Sequence, residues 1–200
     1  RNMSDIILEA RDLTKSYGPK TALNGLNLTL EKGKIIGLLG PNGSGKSTFI
    51  KLCNGILQPT KGEILIGGHE VGVETKKIVS YLPERTYLDD NMSPVQMINF
   101  FSDFYEDFDA DKAFDMLSSL KVNPKDKMKT MSKGTKEKVQ LILVMSRQAK
   151  LYMLDEPIGG VDPAARDYIL RTIISNYNPE ASVIISTPVS YTHLTLPTKA

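Results

Sequence analysis

Apolar and polar positions change their spacing several times along the chain. Near the start, Ile6 to Ala10 is strand-like and Leu26-Asn-Leu-Thr-Leu30 alternates strictly, the period of a strand with one face buried and one solvated. Ile35 to Leu39 is apolar without interruption, which predicts a strand buried on both faces of a parallel sheet. Gly40 ends that run, and Ser47 to Ile56 takes up helical spacing. A turn at Pro59-Thr-Lys-Gly62 leads into a strand at Glu63 to Ile66, and Ile78 to Leu82 predicts another. From Ser93 to Leu120 the spacing is helical, with Ser93 as N-cap and Pro94 as first helical residue. Ala113, Leu117 and Leu120 make an apolar stripe with Phe114 beside them, and Phe100, Phe101, Phe104 and Tyr105 read as core or as a partner contact. Helical period runs on through Val139, Ile142 and Leu143. A strand follows at Leu151 to Leu154, a helix at 164–177 and a strand at Ser182 to Ser186. Strands first, then helices, then both in alternation predict an α/β core interrupted by a helical subdomain at about 86–145.

Composition narrows this only a little. Two hundred residues fit one domain of ordinary size, and 40% apolar with 24% charged residues is the balance of a globular protein. A net charge of +2 is too small to argue for a nucleic-acid partner, and none is expected; the two signs are interspersed as on a solvated surface. The single Cys53 excludes an intrachain disulfide and suits a reducing compartment; within an apolar stretch it reads as a buried inert thiol more readily than a reactive one. The longest apolar runs, such as Ile35 to Gly40 and Leu141 to Met145, fall far short of the ~20 residues that span a bilayer. A soluble chain is expected, one that reaches a membrane only through a partner. Met3 reads as the start. Residues 189–200 lack any period and resemble the translation of a sequencing-library adapter; they read as a non-native tail, the alternative being a disordered native one.

The chemistry begins at Gly40-Pro41-Asn42-Gly43-Ser44-Gly45-Lys46-Ser47-Thr48, a full match to G-x-x-x-x-G-K-[ST] set between a predicted strand and a predicted helix. Glycines let the backbone curl its N–H groups toward phosphate oxygens, and the helix N-terminus adds positive partial charge. Lys46 is expected on the β/γ-phosphates and Ser47 on Mg²⁺. Leu151 to Leu154 ends in Asp155-Glu156. Beside a P-loop this reads as the strand whose aspartate holds Mg²⁺ and whose glutamate orients the attacking water. Together the two motifs define a P-loop ATPase with Lys46 and Glu156 as its catalytic residues.

Met131-Ser132-Lys133-Gly134-Thr135 lies between them, with Ser132 23 positions before Asp155. It resembles the L-S-G-G-Q signature of ATP-binding-cassette (ABC) ATPases, keeping Ser132 and Gly134 and departing at Met131, Lys133 and Thr135. The resemblance extends over residues 5 to 187. Tyr17 is similar to the family's adenine-stacking aromatic, or is an ordinary strand-end tyrosine. Tyr81-Leu-Pro-Glu84 falls where the family has its Q-loop, with Glu84 in place of glutamine near Mg²⁺ and the coupling interface. Gly159-Gly-Val-Asp162 resembles the D-loop, whose aspartate communicates between ATP sites. The family's γ-phosphate histidine is expected after Thr187, where Pro188 stands instead. The cassette therefore reads as residues 3–188, cut short at its C-terminal end.

The resemblance implies an ABC cassette with a mainly parallel core sheet, an N-terminal antiparallel β subdomain and a helical insert. It implies ATP and Mg²⁺ as ligands, a second nucleotide-binding subunit (the same chain or another) supplying the signature across the site, and a transmembrane permease as partner. It also implies a place at the inner face of the cell membrane. Glu84 and the short insert resemble the stand-alone ATPase subunits of bacterial drug, bacteriocin or antibiotic-resistance exporters. The alternative is an ATP-binding switch or regulatory module, translation-factor-like, without transport. A chromosome-maintenance ATPase is excluded, because only 86 positions without heptads separate Lys46 from Ser132.

Overall fold

A computed structural model describes residues 5–40, 43–84, 88–157, 171, 175 and 178–187. They fall in two compact units, one within Arg1–Tyr81, Lys150–Glu156 and Pro179–Ala200, the other within Leu82–Ala149 and Pro157–Asn178.

The first unit opens with two long strands, β1 (Ile6–Tyr17) and β2 (Lys20–Glu31), paired antiparallel. β4 (Lys61–Ile66) joins the other edge of β1, and the two-residue β5 (His69–Glu70) completes a sheet of order β2-β1-β4-β5. Only the first part of β1 shows in the apolar pattern, because the strand slips phase at Asp12. That residue has φ 46°, and the register with both neighbours shifts there. Gly62 faces the bulge so closely that a Cβ would lie 2.2 Å from the Asp12 carbonyl oxygen, so the bulge requires glycine opposite it.

The second sheet, of order β3-β8-β7-β6, comprises β3 (Ile35–Leu39), β6 (Val79–Leu82), β7 (Leu151–Asp155) and β8 (Ser182–Thr187). β3 and β7 both pair parallel to β8, the mainly parallel arrangement expected. The prediction that β3 is buried on both faces fails. Ile35 is buried but Leu39 is 74% exposed, because β3 is the outer strand of the described sheet. β7 is buried at all five residues, and β8 from Ser182 to Ser186.

α1 (Lys46–Cys53) touches β2, β4 and β7, and so lies against both sheets. Leu8 and Leu13 from β1, Ile64 and Ile66 from β4, Ile50 and Leu52 from α1, and Leu151, Met153 and Ile184 share one core. At about 25 cal/mol per Å² of apolar surface removed from water, each such side chain stabilises by roughly 1.5–3 kcal/mol. Cys53 belongs to the same core, where burial pushes its thiol well above the ordinary range. The short α2 (Val73–Ile78), two turns capped at Gly72, is too brief for periodicity to reveal.

The second unit carries α3 (Pro94–Phe104), α4 (Ala110–Ser119) and α5 (Lys133–Met145), with a 3₁₀ turn at Met128–Thr130. Ser93 caps α3 in a reciprocal box with Gln96, and Pro94 takes the first position, as expected. The single helical run from Ser93 to Leu120 is in fact two helices. Asp109 caps a new one by accepting from the Lys112 N–H, while the Asp109 N–H and Asp107 carbonyl are bound by residues 146 and 148. Ala113, Leu117 and Leu120 are buried as their spacing predicts. The helix expected at 164–177 lies outside the described residues except for Arg171 and Ser175, both helical. No helix among the described residues is long and apolar enough to cross a membrane.

Candidate functional site: a phosphate loop beside a buried carboxylate

α1 begins where β3 has just ended, and the turn between them is glycine-dependent. Gly45 has φ 95°, and a Cβ there would lie 2.7 Å from the Ala22 carbonyl oxygen of β2. As the cap of α1 it supplies no side-chain acceptor, so the first-turn N–H groups keep their donor character toward an anion. Lys46, the first residue of α1, is buried and donates its ammonium to the Gly40 carbonyl. Pro41 and Asn42 lie outside the described residues; Gly40 and Gly43 to Thr48 stand together around the loop.

β7 brings Asp155 to the same place. Its carboxylate is fully buried, and Oδ1 accepts from the Ser47 hydroxyl at 3.1 Å and from the Ser186 hydroxyl at 2.8 Å. Ser47 and Asp155 are 108 positions apart, so the pairing of phosphate loop and carboxylate strand expected from the two motifs is made by the fold. Glu156 follows directly with φ 47°, a left-handed conformation that is strained for glutamate. Its N–H is held by the Ser186 carbonyl at 3.2 Å and the Ser186 hydroxyl at 3.0 Å.

A hydroxyl and a carboxylate oxygen converging beside a phosphate loop are a hard-oxygen donor set. It suits Mg²⁺, which takes one or two carboxylates together with substrate phosphates and needs no all-protein cage. Ser47 and Asp155 would hold the ion, and the ion would supply positive charge at the phosphate oxygens. Ser186 was missed by sequence reasoning, and no motif marks it. In a buried strand that also carries Ser182, Ser186 looks like filler.

Tyr17 ends β1 as a residue 46% exposed, with the Lys15 ammonium 5.2 Å from its ring centroid. The remaining predicted residues lie in the second unit or outside the description. Glu84 is exposed. Ser132 is the N-cap of α5: its hydroxyl accepts from the Thr135 N–H at 3.2 Å and pairs with the Thr135 hydroxyl at 2.9 Å. A Cβ on Gly134 would meet nothing within 4 Å. Asp162 lies outside the described residues, as does residue 188 with the expected tail.

A glycine loop capping a helix, a buried lysine at its first turn and an aspartate ending a parallel strand of the same sheet define a P-loop nucleotide-binding protein. Residues 23–159 match the family described as ABC transporter, and the chain belongs to it. It is 33% identical over 175 residues to the linearmycin resistance ATP-binding protein LnrL of Bacillus subtilis (strain 168), covering 84% of this chain and 56% of that one. It is 30% identical over 181 residues to the lantibiotic transport ATP-binding protein SrtF of Streptococcus pyogenes, covering 90% and 78%. A solved putative ABC transporter ATP-binding protein from Pyrococcus furiosus superposes with TM-score 0.82 at 30% identity, covering 94% and 93%. The expected fold and the expected resemblance to ATP-binding subunits of antibiotic and lantibiotic transporters both hold. The chain spans little more than half the length of the linearmycin-resistance relative.

Proposed function

We propose that this chain is the ATP-binding and ATP-hydrolysing subunit of a bacterial ABC exporter, energising a separate transmembrane permease at the inner face of the membrane. The observation that carries the reading is the bond from the Ser47 hydroxyl to the buried Asp155, next to the buried Lys46 that opens α1 and donates to the Gly40 carbonyl. The relatives named for linearmycin resistance and lantibiotic transport support the exporter class.

The residues divide the work as follows. Lys46 releases the Gly40 carbonyl and meets the β/γ-phosphate charge, while the exposed Tyr17 ring takes the adenine by stacking. Ser47 and Asp155 would hold Mg²⁺, which would supply positive charge at the phosphates. Glu156 accepts a proton on its carboxylate from the attacking water, whose oxygen bonds to the γ-phosphorus as the bond to the β–γ bridging oxygen breaks. Ser132 and Gly134 face a second copy's nucleotide, where the hydroxyl and the α5 N-terminus offer donors and the open side of Gly134 admits a phosphate. Asp162 links the two sites. The stacked Phe100 and Phe104 rings on α3, 57% and 68% exposed, suit a permease contact better than a core.

The test is phosphate release from ATP by paired cassettes, wild type against Glu156→Gln. Loss of a positioned general base is expected to lower turnover by about 10²–10⁴-fold while ATP binding persists. Wild-type turnover no higher than that of Glu156→Gln would leave a binding module and sink the enzyme reading.

A further inference from the structure

Ser186 lies on β8 directly opposite Asp155 in the parallel register, and it is wholly buried. One hydroxyl makes two contacts there. It donates to Asp155 Oδ1 at 2.8 Å and accepts from the Glu156 N–H at 3.0 Å. A hydroxyl has a single proton, so donation to Asp155 leaves its lone pairs for the amide. The three groups therefore form a one-way chain, amide to hydroxyl to carboxylate, in which each bond polarises the next.

Both ends of that chain matter to the chemistry. Glu156 is held at φ 47°, a conformation that costs a non-glycine residue about 1–3 kcal/mol and persists only where its surroundings over-determine it. Ser186 supplies two acceptors to that one N–H, its hydroxyl and its own carbonyl. At the other end, Asp155 Oδ1 takes hydroxyl protons from Ser47 and Ser186. When Ser47 turns its oxygen to Mg²⁺, the Ser186 hydroxyl stays on Asp155 as a donor. Ser47 acts on the ligand side of the carboxylate and Ser186 on the protein side.

We propose that Ser186 is a positioning residue of the nucleotide site, one that sets the Asp155 carboxylate for Mg²⁺ and locks Glu156 in the left-handed turn from which it meets the attacking water. This rests on the ATP and Mg²⁺ reading above. The hydroxyl touches neither substrate nor metal and acts through its two neighbours.

ATP binding to the full chain, measured once with Mg²⁺ and once with EDTA, gives the ratio of dissociation constants that isolates the metal's contribution. Removing a group that orients a metal-holding carboxylate typically weakens metal binding 10–100-fold, so Ser186→Ala should shrink the ratio by about tenfold or more with the EDTA value unchanged. Ser182→Ala is the matched control. It sits on the same strand, is equally buried, and its hydroxyl accepts from the Gly33 N–H at 2.9 Å, but it pairs with Leu151 at the far end of β7. It should keep the wild-type ratio. Ser186→Thr, which retains the oxygen, should restore the ratio, and Ser186→Cys, a weak donor and acceptor, should not. A wild-type ratio in Ser186→Ala, or an equal loss in Ser182→Ala, overturns the proposal. Should a thermal melt show Ser186→Ala unfolded, the Thr and Cys variants decide, and equal ratios in those two overturn it. A wild-type chain that binds no ATP, or binds it equally with and without Mg²⁺, overturns the parent reading instead.

Discussion

The two units bury charge in different ways. In the first, Lys46 donates to a backbone carbonyl and Asp155 accepts from serine hydroxyls. In the second, Arg147 is buried behind α5, and its guanidinium forks onto Asp107 through Nε–Oδ1 and Nη2–Oδ2 bonds of 3.1 Å each. The same guanidinium lies 4.1 Å from the centroid of the Tyr105 ring. A bidentate ion pair stacked on an aromatic is a closed interaction, strong and specific, and any ligand entering would have to replace a full countercharge. Contacts to neutral dipoles are worth only about 1 kcal/mol each and exchange readily for a phosphate or a cation. The comparison teaches where to look for function. Hydrogen bonds from Lys46 and to Asp155 beside the glycine loop can be exchanged for a phosphate or a cation, whereas the Arg147–Asp107 fork holds the chain together. Arg147–Asp107 fastens the segment between α3 and α4 to the end of α5, beside the Gln148 N–H to Asp107 carbonyl bond.

The sharpest way to break that comparison is Asp107→Ala. Leaving a buried guanidinium without its carboxylate is expected to destabilise by about 3 kcal/mol, the low end for such pairs because Asp107 is a quarter exposed. Chemical denaturation would read this, and ATP affinity under native conditions should not move. A large loss of ATP affinity at unchanged stability would make Arg147–Asp107 part of the site and erase the distinction.

Lys46→Ala should do the reverse. Hydrogen bonds to charged groups are worth roughly 1.5–3 kcal/mol, so ATP affinity should fall about 10–100-fold, read by calorimetry, with little change in melting temperature. If the melt drops and binding holds, the lysine is structural and the loop carries the ligand alone.

The smallest effect belongs to Ser132→Ala. Loss of an N-cap is expected to cost about 1 kcal/mol of stability, and under the proposal that the signature serves another copy's nucleotide, ATP affinity of the single chain should be untouched. Phosphate release by paired cassettes should fall. Unchanged turnover there would make Ser132 a cap and nothing more.

Legibility varied with the range of the interaction that decides each feature. The phosphate loop was readable because its chemistry lies within nine consecutive residues, each chosen for the backbone or the phosphate. The Ser93 cap and the Ala113, Leu117, Leu120 stripe were readable for the same local reason. The exposure of Leu39 was not, since an unbroken apolar run is compatible with a central or an outer strand and only sheet order distinguishes them. Nor was the break at Tyr105–Asp109, which depends on bonds to residues 146–148.

By itself the sequence determined the presence of a phosphate-binding loop, a carboxylate strand and a cap at Ser93, because local backbone geometry and residue chemistry suffice for those. Only the tertiary structure decided that Ser47, Asp155 and Ser186 meet on one oxygen, and that Glu156 is held in a left-handed turn by a serine 30 residues away. Those contacts come from the parallel pairing of β7 with β8 and the placement of α1 against β7, and the choice of strand neighbours is made by the burial of whole faces.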